Sequence, residues 1–288
     1  MPIDVRGFLR HLGIRQPDRP SAETLFRLHA AYVETVPYES VQFQLGRKTP
    51  LDPADVAERI INRQSGGYCY QLNGAFSALL TELGYQVTLH RGGVHKRGRS
   101  AGVNGGHLVL TVTDLPETPG VTWLVDAGLG DGLHVPLPLQ IGSYEQEPFT
   151  FALRPSEVTA DGWRLDHDPR GGIEGMDFAR ARTELAAFRE SHDYLSTSPD
   201  SPFVRLCSAF RRTSTAVHIL RGLTQSSVHP DRTDVCTLES KAEWYASLRD
   251  VFGLHLADLT ADDRDRLWRR VVAQHEAYLA TLLNPHRG

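Results

Sequence analysis

The stretch Ser65-Gly-Gly-Tyr-Cys-Tyr-Gln-Leu-Asn73 places a cysteine directly after a pair of glycines, where an amphipathic helix is predicted to begin. From Cys69 onward apolar side chains recur at helical spacing, and Gly84 follows as a C-terminal capping residue. A helix N-terminus favours a thiolate, and the preceding glycines leave backbone N–H groups open to an oxyanion. Free cysteines are also among the most buried residues, so position alone favours a packing role. A catalytic interpretation of Cys69 therefore needs a second group.

The composition is that of a globular chain. Hydrophobic residues make up 40% and charged residues 23% of the 288, which points away from disorder. The formal net charge of -4 gives no electrostatic reason to expect nucleic acid. No apolar run approaches the roughly 18 residues that span a bilayer. Met1-Pro-Ile-Asp4 also lacks the features of a signal peptide, so we expect a cytoplasmic protein with no membrane partner.

Cysteine and histidine usage predicts free thiols and no metal site. Cys69, Cys207 and Cys236 are an odd number at wide spacing, which fits neither a disulfide framework nor a zinc knuckle. The 13 histidines form no His-Glu-x-x-His motif and no tight cluster with cysteine. We therefore expect no bound metal.

The hydrophobic period changes along the chain. Up to Gly84 it is helical, whereas residues 86–91, 107–113 and 121–126 are rich in Val, Leu and Thr, as strands are. Residues 177–239 show no clear period and are left unassigned. Two amphipathic helices are predicted to end the chain. The apolar face of the last one contains Leu267, Val271, Tyr278, Leu279 and Leu282.

A second chemical group emerges when the predicted strands are paired. If residues 107–113 and 121–126 form an antiparallel hairpin with Val112 opposite Val121, then His107 lies opposite Asp126. Directly opposed side chains share a face, so the carboxylate could orient the imidazole. A slip of one residue would send the two side chains to opposite faces. The alternative interpretation is a solvated strand end with an incidental His–Asp pair.

The motifs around these residues resemble the arylamine N-acetyltransferase family. They are Val36-Pro-Tyr-Glu-Ser40, Ser65-Gly-Gly-Tyr-Cys-Tyr-Gln-Leu-Asn73, Gly106-His-Leu-Val109 and Leu124-Val-Asp-Ala-Gly-Leu-Gly130. They occur in the family's order and at its approximate spacing, and they cover roughly the first 140 residues of the chain. The resemblance implies an α+β (mixed α/β) fold with a cysteine-protease-like Cys-His-Asp site. It further implies a helical bundle (1–85) carrying the nucleophile, a β-barrel-like domain (86–195) carrying His and Asp, and a C-terminal α/β lid (196–288).

The resemblance also implies roles for individual residues. Cys69 would accept the acyl group, His107 would carry protons and Asp126 would orient His107. Gly128 and Gly130 would lie in the turn near the bound cofactor, acetyl-CoA or another acyl-CoA. That thioester would be a co-substrate, with no cofactor bound permanently, and a small-molecule amine would be the acceptor.

The sequence departs from the family pattern around the nucleophile. The family usually has Arg-Gly-Gly before the cysteine and Glu two positions after it, where this chain has Ser65 and Gln71; Leu129 replaces a Phe. The family's Arg is a natural counter-ion for the carboxylate that remains here as Glu39, which would need another partner, such as Arg63 or a hydroxyl.

Two alternatives to an acyl-CoA-dependent N-acyltransferase stay open. An amide synthase that closes a macrolactam would use the same three residues and take its chain from an acyl carrier protein. A thiol hydrolase or a non-catalytic binding protein is the other alternative.

Overall fold

The computed structural model describes residues 2–17, 19–96, 98 and 100–283, with side chains through residue 280. Helices dominate the N-terminal part and close the chain, and strands lie between them. The helices are α1 (Val5–His11), α2 (Ala22–Thr35), α3 (Val41–Gln44), α4 (Pro53–Arg63), α5 (Cys69–Glu82), α6 (Arg189–Thr197), α7 (Pro202–Arg205), α8 (Lys241–Asp250) and α9 (Ala261–Leu283). The strands are β1 (Tyr38–Glu39), β2 (Gln86–His95), β3 (His107–Thr113), β4 (Trp123–Val125), β5 (Leu137–Pro138), β6 (Gly142–Gln146), β7 (Phe149–Pro155), β8 (Trp163–Asp166), β9 (Gly175–Thr183), β10 (Ser208–Arg212), β11 (Val217–Arg221), β12 (Thr224–Val228) and β13 (Thr233–Thr237).

Helix α5 begins at Cys69, as the apolar spacing predicts. Its N-cap residue, Tyr68, makes no side-chain capping bond to the first N–H groups of the helix. Gly84 follows with a φ of +89°, the left-handed conformation that ends many helices. The predicted helix and both of its ends are confirmed.

Strands β2 to β9 form an antiparallel near-barrel of eight strands in the described residues, in the order β5-β4-β3-β2-β9-β8-β7-β6. Its edge strands β5 and β6 follow each other directly in the chain. Helix α5 packs on the outer side of β3, where Phe76 and Leu79 share one core with Leu108 and Leu110. This packing brings the start of α5 to the start of β3.

The hairpin of β3 and β4 has a different register from the predicted one. Val112 lies opposite Trp123, not Val121, a shift of two residues. Strand β4 begins at Trp123, two residues later than predicted. The Val121 N–H instead donates back to the Thr118 carbonyl, and the Thr122 carbonyl accepts from the Leu139 N–H. A shift of two preserves the face of every side chain, so the predicted proximity of the histidine and the aspartate survives.

The unassigned region builds most of a second sheet, in the order β1-β10-β11-β12-β13. One face, with Ala209 and Leu220, packs against α8 around Trp244. The other face, with Phe210 and Ile219, packs against the near-barrel. This sheet packs with helices α8 and α9, and β1 joins it from the helical N-terminal part of the chain.

The predicted apolar face of the last helix is wrong at its end. Leu267 and Val271 are buried, but Tyr278 is 54% and Leu279 is 44% exposed. The side chain of Leu282 lies outside the described ones. The final turns of α9 therefore continue past the core that its earlier turns cover.

Arg212 joins the two sheets. Its guanidinium, 1% exposed, donates to the carbonyls of Gly132 at 3.1 Å and Gln146 at 2.8 Å, and also to that of Thr213. Burial lowers the pKa of Arg212 to about 10, which leaves it charged at neutral pH. Charged donors to buried carbonyls are strong interactions, so this side chain ties β10 to the end of β6.

We expect Arg212→Met to lower the free energy of unfolding by roughly 2–4 kcal/mol, because several buried carbonyls lose their donor. Denaturant unfolding measures this change. Arg232→Met, at a side chain that is 57% exposed, is the matched control and should change stability by less than about 0.5 kcal/mol. Equal effects of the two substitutions would contradict the role given to Arg212.

Candidate active site

Three predicted residues meet where α5, β3 and β4 come together. Cys69 starts α5, His107 starts β3 and Asp126 follows β4 directly. All three are buried, with exposures of 3%, 1% and 1%. His107 Nε2 lies 2.7 Å from Asp126 Oδ2. The other ring nitrogen, Nδ1, is therefore available to the Cys69 thiol, which lies within hydrogen-bonding reach of the imidazole. A thiol, an imidazole and a carboxylate thus follow one another in the order that a catalytic triad requires.

The carboxylate of Asp126 is held by further donors. Its Oδ1 accepts hydrogen bonds from Asn73 Nδ2 and from the Gly128 N–H, each at 2.9 Å. Asn73 also donates to the Leu108 carbonyl at 2.6 Å and accepts from the Ala127 N–H at 2.9 Å. The amide therefore fixes both the aspartate and the backbone on either side of the site.

Sequence reasoning gave Asn73 no role. The signal was present, because Asn73 lies four residues after Cys69 and hence on the same face of α5, one turn further along. It is fully buried on an otherwise mostly apolar helix, where an unpaired amide would be costly. A buried polar residue one turn after a candidate nucleophile is a reason to look for a partner.

The protonation of His107 is set by opposing effects. Burial lowers its pKa. The charge and the hydrogen bond of the Asp126 carboxylate, together with Cys69, raise the pKa by more than burial lowers it. The resulting pKa is about 10. His107 is thus an imidazolium at neutral pH, positioned beside the thiol.

The two predicted cofactor glycines have different surroundings. A Cβ on Gly128 would lie 2.9 Å from the Cys69 Cα, so only glycine allows this close approach of the Asp126 turn to Cys69. Gly130 is partly exposed and has a φ of +80°, and a Cβ there would lie 3.1 Å from the Phe210 ring. A narrow cavity beside Asp126 is lined by Tyr38, Gly130 and Phe210.

The predicted partner of Glu39 is wrong. Arg63 Nε lies instead 3.9 Å from Glu58 Oε2, and both of these side chains are exposed. Glu39 Oε1 is 3.9 Å from Arg59 Nη2, and Oε2 accepts from the Val41 N–H at 2.6 Å. The counter-charge therefore comes from α4, one helical turn before the position that the sequence suggested.

Other candidate sites are not supported by the described residues. None of the groups of His, Cys, Asp and Glu within residues 2–17, 19–96, 98 and 100–283 is arranged to hold a metal ion. The cysteines are free thiols, with Cys207 buried and Cys236 exposed. No helix in the described part of the chain is both long and apolar enough to cross a membrane.

We expect Asn73→Ala to slow the alkylation of Cys69 by iodoacetamide at neutral pH by roughly 10²-fold, because a misplaced Asp126 no longer orients His107. Peptide mass spectrometry measures the rate at Cys69. Ser77→Ala is the matched control, since Ser77 lies one turn further along α5 and bonds only within the helix. Equal rates in both variants would contradict the positioning role of Asn73.

The chain was compared with known proteins. Residues 21–261 match the model of the N-acetyltransferase family. The arylamine N-acetyltransferase of Mycolicibacterium smegmatis is 29% identical over 271 residues, which cover 91% of this chain and 96% of the relative. Arylamine N-acetyltransferase 1 of Oryctolagus cuniculus is 26% identical over 243 residues, covering 77% and 82%.

Solved structures agree with these relatives. The Mycobacterium marinum arylamine N-acetyltransferase in complex with CoA has a TM-score of 0.83 and 27% identity, covering 93% of this chain and 98% of that one. The Nocardia farcinica enzyme has a TM-score of 0.81 and 29% identity, covering 92% and 93%. Because the family model spans most of the chain, this protein belongs to the arylamine N-acetyltransferase family of enzymes.

Proposed function

We propose that the protein transfers an acetyl or other short acyl group from acyl-CoA to an arylamine, by a ping-pong mechanism through an acyl-cysteine at Cys69. The observation that carries this proposal is the buried array of Cys69, His107 and Asp126, with His107 held as an imidazolium beside the thiol. The family relationship supports acetyl transfer, and one solved relative is a complex with CoA.

In the first half-reaction the Cys69 thiolate attacks the carbonyl carbon of the thioester. The tetrahedral intermediate collapses as the bond between carbon and the CoA sulfur breaks. The leaving thiolate takes the proton of the His107 imidazolium. Because one thiolate replaces another, the acyl group moves to Cys69 with little loss of free energy.

In the second half-reaction an amine attacks the acyl-cysteine. Neutral His107 accepts the proton from the amine nitrogen, and the Cys69 thiolate leaves as the amide forms. Asp126 stabilises the imidazolium that results and keeps its orientation. The first half-reaction thus ends with acyl-Cys69 and neutral His107, and the second restores the ion pair that starts the cycle.

The surroundings of the array suggest where the substrates bind. Gly128 and Gly130 form the turn after Asp126, and we assign this turn to the donor thioester. The Phe210 and Tyr38 rings, 5.4 Å apart between centroids, line a cavity of only about 10 Å³ beside the turn, so an arylamine would have to part them to pack against their faces.

Intact-protein mass spectrometry tests the acyl-enzyme. The protein is mixed briefly with acetyl-CoA, propionyl-CoA or an acyl N-acetylcysteamine thioester. We expect an acyl adduct on the wild type and on Cys236→Ala, the exposed-cysteine control, but none on Cys69→Ala. Added arylamine should remove the adduct.

Two results would overturn the proposal. The absence of an adduct from every donor would exclude Cys69 as the acyl acceptor. An adduct that forms only from the N-acetylcysteamine thioester and resists arylamines would favour the amide synthase instead.

The protonation of His107 can be measured by ¹⁵N NMR of the imidazole, assigned with His107→Gln. We expect a doubly protonated ring at pH 8 in the wild type, since its pKa is about 10. In Asp126→Asn the pKa should fall, because the lowering effect of burial is no longer opposed by the carboxylate. A neutral ring in the wild type at pH 8 would contradict the proposed ion pair.

A further inference from the structure

A second polar cavity lies behind the glycine loop that precedes the nucleophile. Its volume is about 290 Å³, and Cys69, His107 and Asp126 are not among the residues that line it. Helix α4 supplies one wall, and the segment after α3 supplies another. The lining includes Arg47, Lys48, Thr49, Arg59, Arg63 and Ser65.

Several polar groups in this wall are buried without a partner among the described residues. They are Arg59 Nη1, Thr49 Oγ1 and Ser65 Oγ, on residues that are 7%, 5% and 5% exposed. Burying a donor without an acceptor costs free energy. A ligand with several acceptor oxygens would satisfy all three groups.

The charge of Arg59 is only partly compensated. Its Nη2 donates to the Gly66 carbonyl at 2.9 Å, and its nearest carboxylate, Glu39, is 3.9 Å away. Burial lowers the pKa of Arg59 and raises that of Glu39, because desolvation disfavours both charges. A buried guanidinium in this state favours a further anion.

Four cations and three carboxylates line the cavity, and Arg47 also pairs with Asp263 at 2.8 Å. Asp258 pairs with Arg47 at 2.8 Å, and Glu58 lies 3.9 Å from Arg63. Asp55 is the other carboxylate in the lining, and Lys48 adds an exposed cation. An adjoining cavity of about 190 Å³ shares Ser65 and adds His11, Arg211 and His255 without any carboxylate.

We propose that this cavity binds a small oxyanion, a phosphate or a carboxylate group. The Arg59 guanidinium and the hydroxyls of Thr49 and Ser65 are its donors, and the basic side chains at the opening attract it. The site is separate from the acyl-transfer array, and the proposal does not depend on the function of that array.

Calorimetry and thermal unfolding with inorganic phosphate, sulfate or acetate, at constant ionic strength set with sodium chloride, test the site. We expect saturable one-to-one binding and a matching rise in Tm. The double variant Thr49→Val/Ser65→Ala should bind roughly tenfold more weakly, because two hydrogen bonds are lost. Ser65→Leu should abolish binding by filling the cavity without adding a charge, and Ser143→Ala, on an exposed strand residue, should bind like the wild type.

Each outcome decides the proposal. A preference for phosphate and sulfate over acetate would identify a phosphorylated ligand, and the reverse order a carboxylate. Binding that is unchanged in the hydroxyl and Ser65→Leu variants would place the anion elsewhere and overturn the site. A lack of saturable binding of all three anions to the wild type would do the same, leaving a cavity that holds water only.

Discussion

The carboxylate of Asp126 is the constraint on which the site depends. It accepts hydrogen bonds from a helix side chain, from a strand histidine and from its own turn, through Asn73, His107 and Gly128. A buried carboxylate is costly unless its lone pairs are satisfied. Sliding α5 against β3 would break at least one of these bonds, so the charge fixes the relation between helix and sheet as well as the protonation of the imidazole.

The local part of this arrangement could be predicted from the sequence. The apolar spacing after Cys69 is a property of neighbouring residues in the sequence. Gly84 ends the helix because glycine readily adopts a positive φ. The predicted pairing of His107 with Asp126 depends on a strand register that is wrong by two residues. The predicted proximity still holds because side chains alternate between the two faces of a strand with a period of two. A register error of two residues therefore changes which residues are directly opposite but not which face each side chain is on.

The remainder depends on contacts between distant segments. Strand β1 has only two residues and exists because it pairs with β10, about 170 positions later. Strand β13 is exposed at every residue, so its sequence carries no apolar alternation to detect. The position of Asn73 one turn after Cys69 is a local signal, but its partner is a carboxylate 53 residues away, which the local sequence does not identify.

The counter-ion of Glu39 illustrates the same distinction in energetic terms. A buried carboxylate requires a nearby cation, but the requirement does not specify which segment supplies it. Arg59 reaches Glu39 from α4 and also donates to the Gly66 carbonyl, so one guanidinium partly offsets the charge of the acid and supports the glycine loop. With that charge supplied by α4, residue 65 is free to be a serine. The short Ser65 side chain then leaves open space beside the incompletely paired Arg59 guanidinium. On this view, the replacement of the family's arginine by Ser65 creates room for an anion and does not impair Cys69.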